Sequence, residues 1–297
     1  MDRPNIWLSI DWDFFVRENP AWDWGHGESE VLRGLAWEVR LANFLAAGKD
    51  LRKEMSLRHA DPKPGAFWKQ LLKLGYRFNN VKAFVVADSH KWAYWLFDRA
   101  HGVGPALEKT RLLHFDAHHD LVYNVKSFSA NKLAKTAACD DWHLMALLKN
   151  RLLKSFVVYP PWKGLYDWTN TIGSWENHRM PEARELHRLI TKFVDFGIWG
   201  DPRLADTAGQ VEVVFICRSG GWTPPWHDQA FRKFAEAGAD LAGMPANPLF
   251  ADEEGVNPLV SRKLDWEVIR SAPFRDAKIV AQLQAELEGK KPLNLLA

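Results

Sequence analysis

Short apolar runs alternate with longer stretches of helical periodicity along this chain, the pattern of an α/β sheet. Ile6-Trp7-Leu8, Val81 to Ala87, Leu112 to Phe115, Ser155 to Tyr159 and Glu212 to Cys217 read as strands. Leu32, Leu35, Ala36, Val39 and Ala42 keep helical spacing and predict a helix over 29–47. Further helices are expected from Trp92 to Ala100, from a cap at Asp141 to about Lys154, and from Asp228 to Ala237. Pro181 opens another through about Phe193, with Leu186, Leu189, Ile190 and Phe193 turned inward. Asp61-Pro62-Lys63-Pro64-Gly65 reads as a loop, Pro160-Pro161 as a strand stop, and Gly220 to Pro225 as a rigid turn. The expected architecture is a single α/β domain over 1–297, built as a three-layer, doubly wound, mostly parallel sheet. Residues 243–297 are expected to form an irregular extension with a terminal helix.

The polar residues at the strand ends change that picture from scaffold to chemistry. Ile6-Trp7-Leu8 leads into Ser9-Ile10-Asp11-Trp12-Asp13-Phe14-Phe15, Val81 to Ala87 into Asp88-Ser89-His90, and Leu112-Leu113-His114-Phe115 into Asp116-Ala117-His118-His119-Asp120. Ligands of open α/β sheets bind at these carboxyl ends. If the strands continued, alternation would point Asp11 and Asp13 one way, and Asp116, His118 and Asp120 together as well. Two divalent ions roughly 3.5–4 Å apart need bridging carboxylates and terminal nitrogen or oxygen donors. Asp11, Asp13, His90, Asp116, His118 and Asp120 are therefore candidate metal ligands, and a carboxylate-rich set with some imidazole favours manganese. Four aspartates balance two such cations. A bridging hydroxide then leaves one negative charge, which suits a cationic substrate such as a guanidinium. Taken singly, Asp-x-Asp is more often a cap or turn, and a lone His90 more often a core histidine. Asp-Ala-His-His-Asp is the specific segment.

Composition sets the bounds. A chain of 297 residues with 47% apolar and 26% charged residues is ordinary for a soluble globular protein. A net charge of +2, with dispersed lysines and arginines, makes no case for nucleic acid. Cys139 and Cys217 offer no disulfide framework and no metal-site spacing. No apolar stretch approaches a membrane span, and the start Met-Asp-Arg-Pro has no apolar signal region, so the cytoplasm is the expected compartment. Sixteen tryptophans are unusual. Most would pack in the core, while Trp92, Trp95, Trp142, Trp222 and Trp226 lie near the motifs and can stack a guanidinium.

Phe115 to Asp120 resembles the Asp-Ala-His-x-Asp signature of the arginase and agmatinase ureohydrolases. Ser9-Ile10-Asp11-Trp12-Asp13 is similar to their Ser-x-Asp-x-Asp signature, and Asp88-Ser89-His90 to the end of their Gly-Gly-Asp-His segment. The resemblance implies an arginase-like fold with two Mn2+, His90 and Asp120 on one ion, His118 and Asp13 on the other, and Asp116 and Asp11 shared. The Asp-x-Asp motif comes first here and last in those enzymes, which implies a circular permutation. Residues 6 to about 235 resemble more closely a divergent family of peptide arginases, which convert arginine to ornithine within ribosomally made peptides. That likeness rests on Asp11-Trp12-Asp13-Phe14-Phe15, Phe115 to Leu121, Asp140-Asp141-Trp142 and Cys217-Arg218-Ser219. Val86-Ala87 replace the family's glycines, Val16 its third acid, and no clamp for a free amino acid follows Asp120.

The resemblance implies catalytic roles as well. Asp120 would hold the attacking hydroxide while ligating, and Asp140 or Asp141 would carry a proton or orient the guanidinium, with His143 as an alternative shuttle. Asp141 serves equally well as a helix cap. Trp142 and Ser219 are the substrate-binding candidates, Arg218 is expected to pair with an aspartate, and His119 to point away from the ions. The expected partner is an arginine-containing precursor peptide, with homo-oligomerisation left open. Competing readings are a small-molecule ureohydrolase, a metal-dependent deacetylase, and a non-catalytic metal-containing protein that binds peptides.

Overall fold

The computed structural model describes residues 5–17, 36–47, 63–100, 110–134, 136–150, 154–248, 257–271 and 284–285. Seven strands form one sheet: β1 (Asn5–Asp11), β2 (Ala83–Ala87), β3 (Thr110–Phe115), β4 (Lys154–Tyr159), β5 (Val194–Ile198), β6 (Gln210–Cys217) and β7 (Asn247–Pro248). The helices in chain order are α1 (Ala36–Ala46), α2 (Pro64–Lys73), α3 (Lys91–Ala100), α4 (Val125–Ala134), α5 (Trp142–Asn150), α6 (Tyr166–Asn170), α7 (Pro181–Phe193), α8 (Arg203–Asp206), α9 (Asp228–Ala242) and α10 (Trp266–Ser271).

Every strand pairing is parallel, and the order across the sheet is β5-β4-β3-β1-β6-β2-β7. Central strands are buried on both faces, so they read as near-continuous apolar runs rather than strict alternation. On one face, Ile6, Leu8, Ile10, Leu113, Phe115 and Val214 pack against Phe67 and Trp68 of α2 and Phe231 and Phe234 of α9. On the other, Trp7, Leu112, Val213, Phe215 and Cys217 pack against Ala93 and Phe97 of α3 and Trp142 and Ala146 of α5. Val157, Tyr159 and Val194 extend that second face towards Ala183 and Ile190 of α7. Helices cover both faces, giving three layers.

The winding sets where a ligand can sit. From β1 the chain lays β2 two places away, crosses back to β3 on the opposite side, and steps outward to β4 and β5. It then returns to insert β6 between β1 and β2. β1 therefore has neighbours reached by connections running in opposite directions, which opens a crevice at its carboxyl end.

Immediately past β1, a 3-10 turn (Trp12–Phe15) is anchored by its aromatic residues. Phe14 is fully buried and meets Phe115 and Phe67 edge-on at centroid distances of 5.6 and 6.2 Å. Phe15 meets Phe67 in the same way at 5.3 Å. The Phe14-Phe15 pair thus fixes the direction in which the chain leaves the central strand.

Several sequence expectations change. The sheet is parallel throughout. Of the expected helix over 29–47, residues 36–47 fall among the described ones, and the helix there ends at Ala46. Pro64 opens α2 instead of lying in a loop, since its missing N–H is one the first helical turn would leave unpaired anyway. β5 follows α7 without a break, and the α9 helix runs on to Ala242, where Gly243 at φ 62° stops it. The extension after 243 adds β7 to the sheet edge and contains α10, while the terminal helix is described at 284–285 alone.

Phe14→Ala should remove about 3–5 kcal/mol of stability, as truncation of a fully buried phenylalanine generally does. Urea denaturation checks it. An unchanged midpoint would mean the turn is held by something other than this aromatic contact.

Candidate metal centre

Parallel register brings the chemistry together at the carboxyl ends of β1, β3 and β6. Ser9 lies beside His114 of β3, Asp11 beside Cys217 of β6, and Ala87 of β2 beside Cys217 on its other side. Alternation from Trp7 turns Ser9 and Asp11 to the α3/α5 face, as it turns His114 from Leu112 and Cys217 from Phe215. The positions beyond the strands are placed by turns instead. Asp11 Oδ1 accepts the backbone N–H of Asp13 at 3.0 Å, an Asx turn that bends the chain towards β3. There Asp13 Oδ1 accepts the N–H of Ala117 at 3.2 Å, and its Oδ2 lies 2.9 Å from His118 Nδ1. Asp13 therefore does not share a strand face with Asp11. Residues 116–120 are likewise a loop, with Asp120 at φ 50°.

Three sets of side chains offer donor atoms close enough to hold a metal ion: Asp13, Asp116 and His118; His90, His114 and Asp116; and Asp11, His90 and Cys217. All but His118 are buried. Asp116 belongs to two of them and divides its oxygens between them. Its Oδ1 accepts the N–H of His118 at 2.7 Å and lies 3.5 Å from His118 Nδ1. Its Oδ2 lies 3.3 Å from His90 Nδ1 and 3.2 Å from His114 Nε2. His90 Nδ1 is also 2.8 Å from Asp11 Oδ2 and 3.2 Å from Asp120 Oδ2. All six ligand candidates from the sequence thus converge.

The donors fit a cation. His90 Nδ1, His114 Nε2 and Asp116 Oδ2 are buried without a hydrogen-bond partner, although the carboxylate oxygen lies 3.3 and 3.2 Å from the two nitrogens. Donor atoms aimed at a common point rather than at each other are what a metal site requires, and buried orphans of this kind are otherwise costly. The acids also titrate in opposite directions. Burial, then the charges of Asp11 and Asp116, pushes Asp13 well above the usual carboxylate range. Burial and the charge of Asp116 push Asp120 up to about 8. Burial opposes ionisation of Asp116 too, yet the imidazoles of His114, His118 and His90 hold it well below that range. A cation would let all of these carboxylates ionise together.

Supporting groups orient the set. Ser9 Oγ is 3.0 Å from His90 Nε2, leaving Nδ1 to the carboxylates. The indole N–H of Trp142 donates to Asp120 Oδ2 at 2.7 Å, and its ring stacks on His90 at 5.3 Å. The Ser219 hydroxyl donates to Asp11 Oδ2. Ser219, at φ 48°, and Asp120 are the two non-glycine residues with positive φ among the described residues, a strain typical of functional sites. Trp142 is fully buried and Ser219 2% exposed, and each contacts a ligand candidate, Asp120 and Asp11 respectively. Arg218 pairs with Asp88 at 2.5 Å and approaches Asp228 at 3.5 Å, tying the β2 and β6 loops together. Gly220 makes this possible, since a Cβ there would fall 2.8 Å from the Asp88 carboxylate.

His119 turns away, with Nε2 at 2.7 Å from Thr171 Oγ1 and Nδ1 accepting the N–H of Leu121. Burial lowers its pKa to about 4. His143 is engaged by the His119 carbonyl and by Ser155 Oγ at 2.6 Å, in the interior. Asp141 is buried and its Oδ1 accepts the N–H of Ala138 at 2.8 Å, closing the turn before α5. Asp140 lies half-buried in that turn, and neither acid joins the three donor sets. Sequence reasoning missed His114 and Cys217. His114 stands two residues before Asp116, a same-face spacing hidden inside an apolar run.

Compared with family models, curated proteins and solved structures, the chain matches none.

A divalent cation should raise the thermal midpoint of the chelator-stripped protein, because it binds the folded state alone. Asp116→Asn should abolish that shift, and Asp140→Asn should keep it. A scan in which Asp116→Asn responds like the parent would place the cation elsewhere.

Proposed function

We propose that this chain is a dinuclear metal hydrolase that hydrolyses the guanidinium of an arginine side chain within a peptide, giving ornithine and urea. The observation that carries the reading is the division of Asp116, whose Oδ1 serves the Asp13/His118 group and whose Oδ2 serves the His90/His114 group. One carboxylate shared in this way suits two ions, and the oxygen-rich donor set favours manganese. When bound, such ions supply a nucleophile near neutral pH by acidifying water.

The protein's own groups do the remainder. Asp11, Asp13, Asp116 and Asp120 offset two divalent charges, so added hydroxide makes the centre net anionic and attractive to a guanidinium. Asp120, held at Oδ2 by Trp142, is oriented to accept a hydrogen bond as well as to ligate. Water adds to the guanidinium carbon, the bond from that carbon to Nε breaks, and the departing amine takes up a proton. Asp140, half-buried in the turn before α5, and Asp141, whose Oδ1 accepts the Ala138 N–H, are the candidates for delivering that proton.

The substrate side is supported by the one accessible edge of the ligand set. His118 is 19% exposed, and its ring lies 5.3 Å from that of half-buried Trp222. An indole face there can stack a guanidinium. The chain after Asp120 supports a peptide rather than a free amino acid. Leu121 and Val122 enter the core instead of offering polar groups to the α-amino and α-carboxyl groups of free arginine.

Incubating the manganese-loaded protein with arginine peptides, free arginine and agmatine should release urea from the peptides alone, leaving each peptide lighter by one cyanamide equivalent. Asp140→Asn should retain metal while losing most turnover. Urea from free arginine with untouched peptides would instead make this a small-molecule ureohydrolase. No urea, with acetate released from acetyl-lysine peptides, would make it a deacetylase.

A further inference from the structure

The donors are not alike at the two ends of the centre. At the His118 edge, Asp13 and Asp116 supply oxygen and His118 a single imidazole. At the inner end, His90 serves two donor groups, one with His114 and Asp116 and the other with Asp11 and the Cys217 thiol. His90 is 2% exposed, and His114 and Cys217 are fully buried.

We propose that Cys217 is a thiolate ligand of an inner cation position shared with Asp11 and His90, so that the chain holds two chemically different ions. Zinc, cobalt(II) or iron(II) belongs in the inner position, and manganese in the outer one. The proposal rests on the two-cation reading of the site and is independent of the substrate.

Geometry carries it. One donor atom each from Asp11, His90 and Cys217 lies within 4.8 Å of the other two, close enough for a single ion. His90 Nδ1 is buried, has no hydrogen-bond partner, and lies 2.8 Å from Asp11 Oδ2. Strand register fixes Cys217 directly beside Asp11, so the thiol is delivered by the sheet itself. Cys217 Sγ also accepts the backbone N–H of Ser219 at 3.3 Å, and Ser219 Oγ lies 3.2 Å from it. This N–H orients the sulfur, and the left-handed backbone of Ser219 holds it there. On binding, the thiol releases its proton to solvent and its sulfur donates a lone pair to the ion. Thiolate and imidazole donors select borderline ions, whereas carboxylates select manganese.

The test is spectroscopic. Chelator-stripped protein refilled with cobalt(II) should show a thiolate-to-cobalt charge-transfer absorption in the near ultraviolet. Asp13→Asn, which removes an outer ligand, should keep that absorption. Cys217→Ser should lose it while retaining native circular dichroism and the outer ion by elemental analysis. Offered one equivalent each of zinc and manganese, the parent should retain one of each. Cys217→Ser should bind zinc at least about tenfold more weakly, the scale on which even residues supporting a metal ligand act. Bound cobalt without charge transfer in the parent overturns the proposal, as does unchanged zinc affinity in Cys217→Ser. If that variant fails to fold, the parent and Asp13→Asn spectra decide. Charge transfer without urea release would keep the inner site and sink the proposed activity. Urea release by the manganese-loaded protein, with cobalt bound to the parent but no charge transfer, would do the reverse.

Discussion

Four buried carboxylates crowded at the end of one sheet are the constraint on which the rest depends. Asp11, Asp13, Asp116 and Asp120 are each at most 6% exposed. Two like charges about 4 Å apart repel by about 4 kcal/mol at an effective dielectric constant of ~20, and burial adds a desolvation cost for each. The fold accommodates this by leaving Asp13 and Asp120 prone to protonation while the surrounding imidazoles keep Asp116 ionised. A divalent cation removes the conflict at its source. That makes the arrangement intelligible as a binding site and difficult to understand as core.

The architecture is what permits the crowding. Parallel strands all end on one side of the sheet, and the return of β6 beside β1 brings Cys217 and Ser219 to the same edge as Asp11. The aromatic layer under Phe14 and Phe15 holds the turn carrying Asp13, and the Arg218–Asp88 pair joins the loops carrying His90 and Ser219. Trp142 reaches from α5 to Asp120 and stacks on His90. The ligand oxygens and nitrogens are therefore oriented by indole, hydroxyl and backbone donors that cannot themselves replace a cation.

Residue order made much of this readable, for physical reasons. Acids immediately after apolar runs mark strand ends, so Asp11, Asp116 and their neighbours could be grouped before any fold was known. The geometric reason was different, however: an Asx turn and a left-handed Asp120 do the placing that strand alternation was expected to do. His114 was absorbed into an apolar run because a buried histidine on a strand carries no local signature. Cys217 has no metal-site spacing in sequence, and its neighbour Asp11 is supplied only by the pairing of β1 with β6. β5 was missed because Val194 to Ile198 is short and mixed, with Asp195 and Ile198 exposed. The backbone contact of Asp141 with Ala138 is a local turn, so its capping role was visible, whereas the position of Asp140 relative to the ligands depends on the whole fold.

The central claim is that Asp116 lies between two cation positions. Anomalous diffraction from crystals of the metal-loaded protein, recorded on either side of the absorption edge of the bound ion, tests it directly. The account predicts two separate peaks, one among Asp13, His118 and Asp116 Oδ1 and the other beside His90 and Asp116 Oδ2. A single peak remote from Asp116, or no peak with His90 hydrogen-bonded to the carboxylates instead, would contradict it.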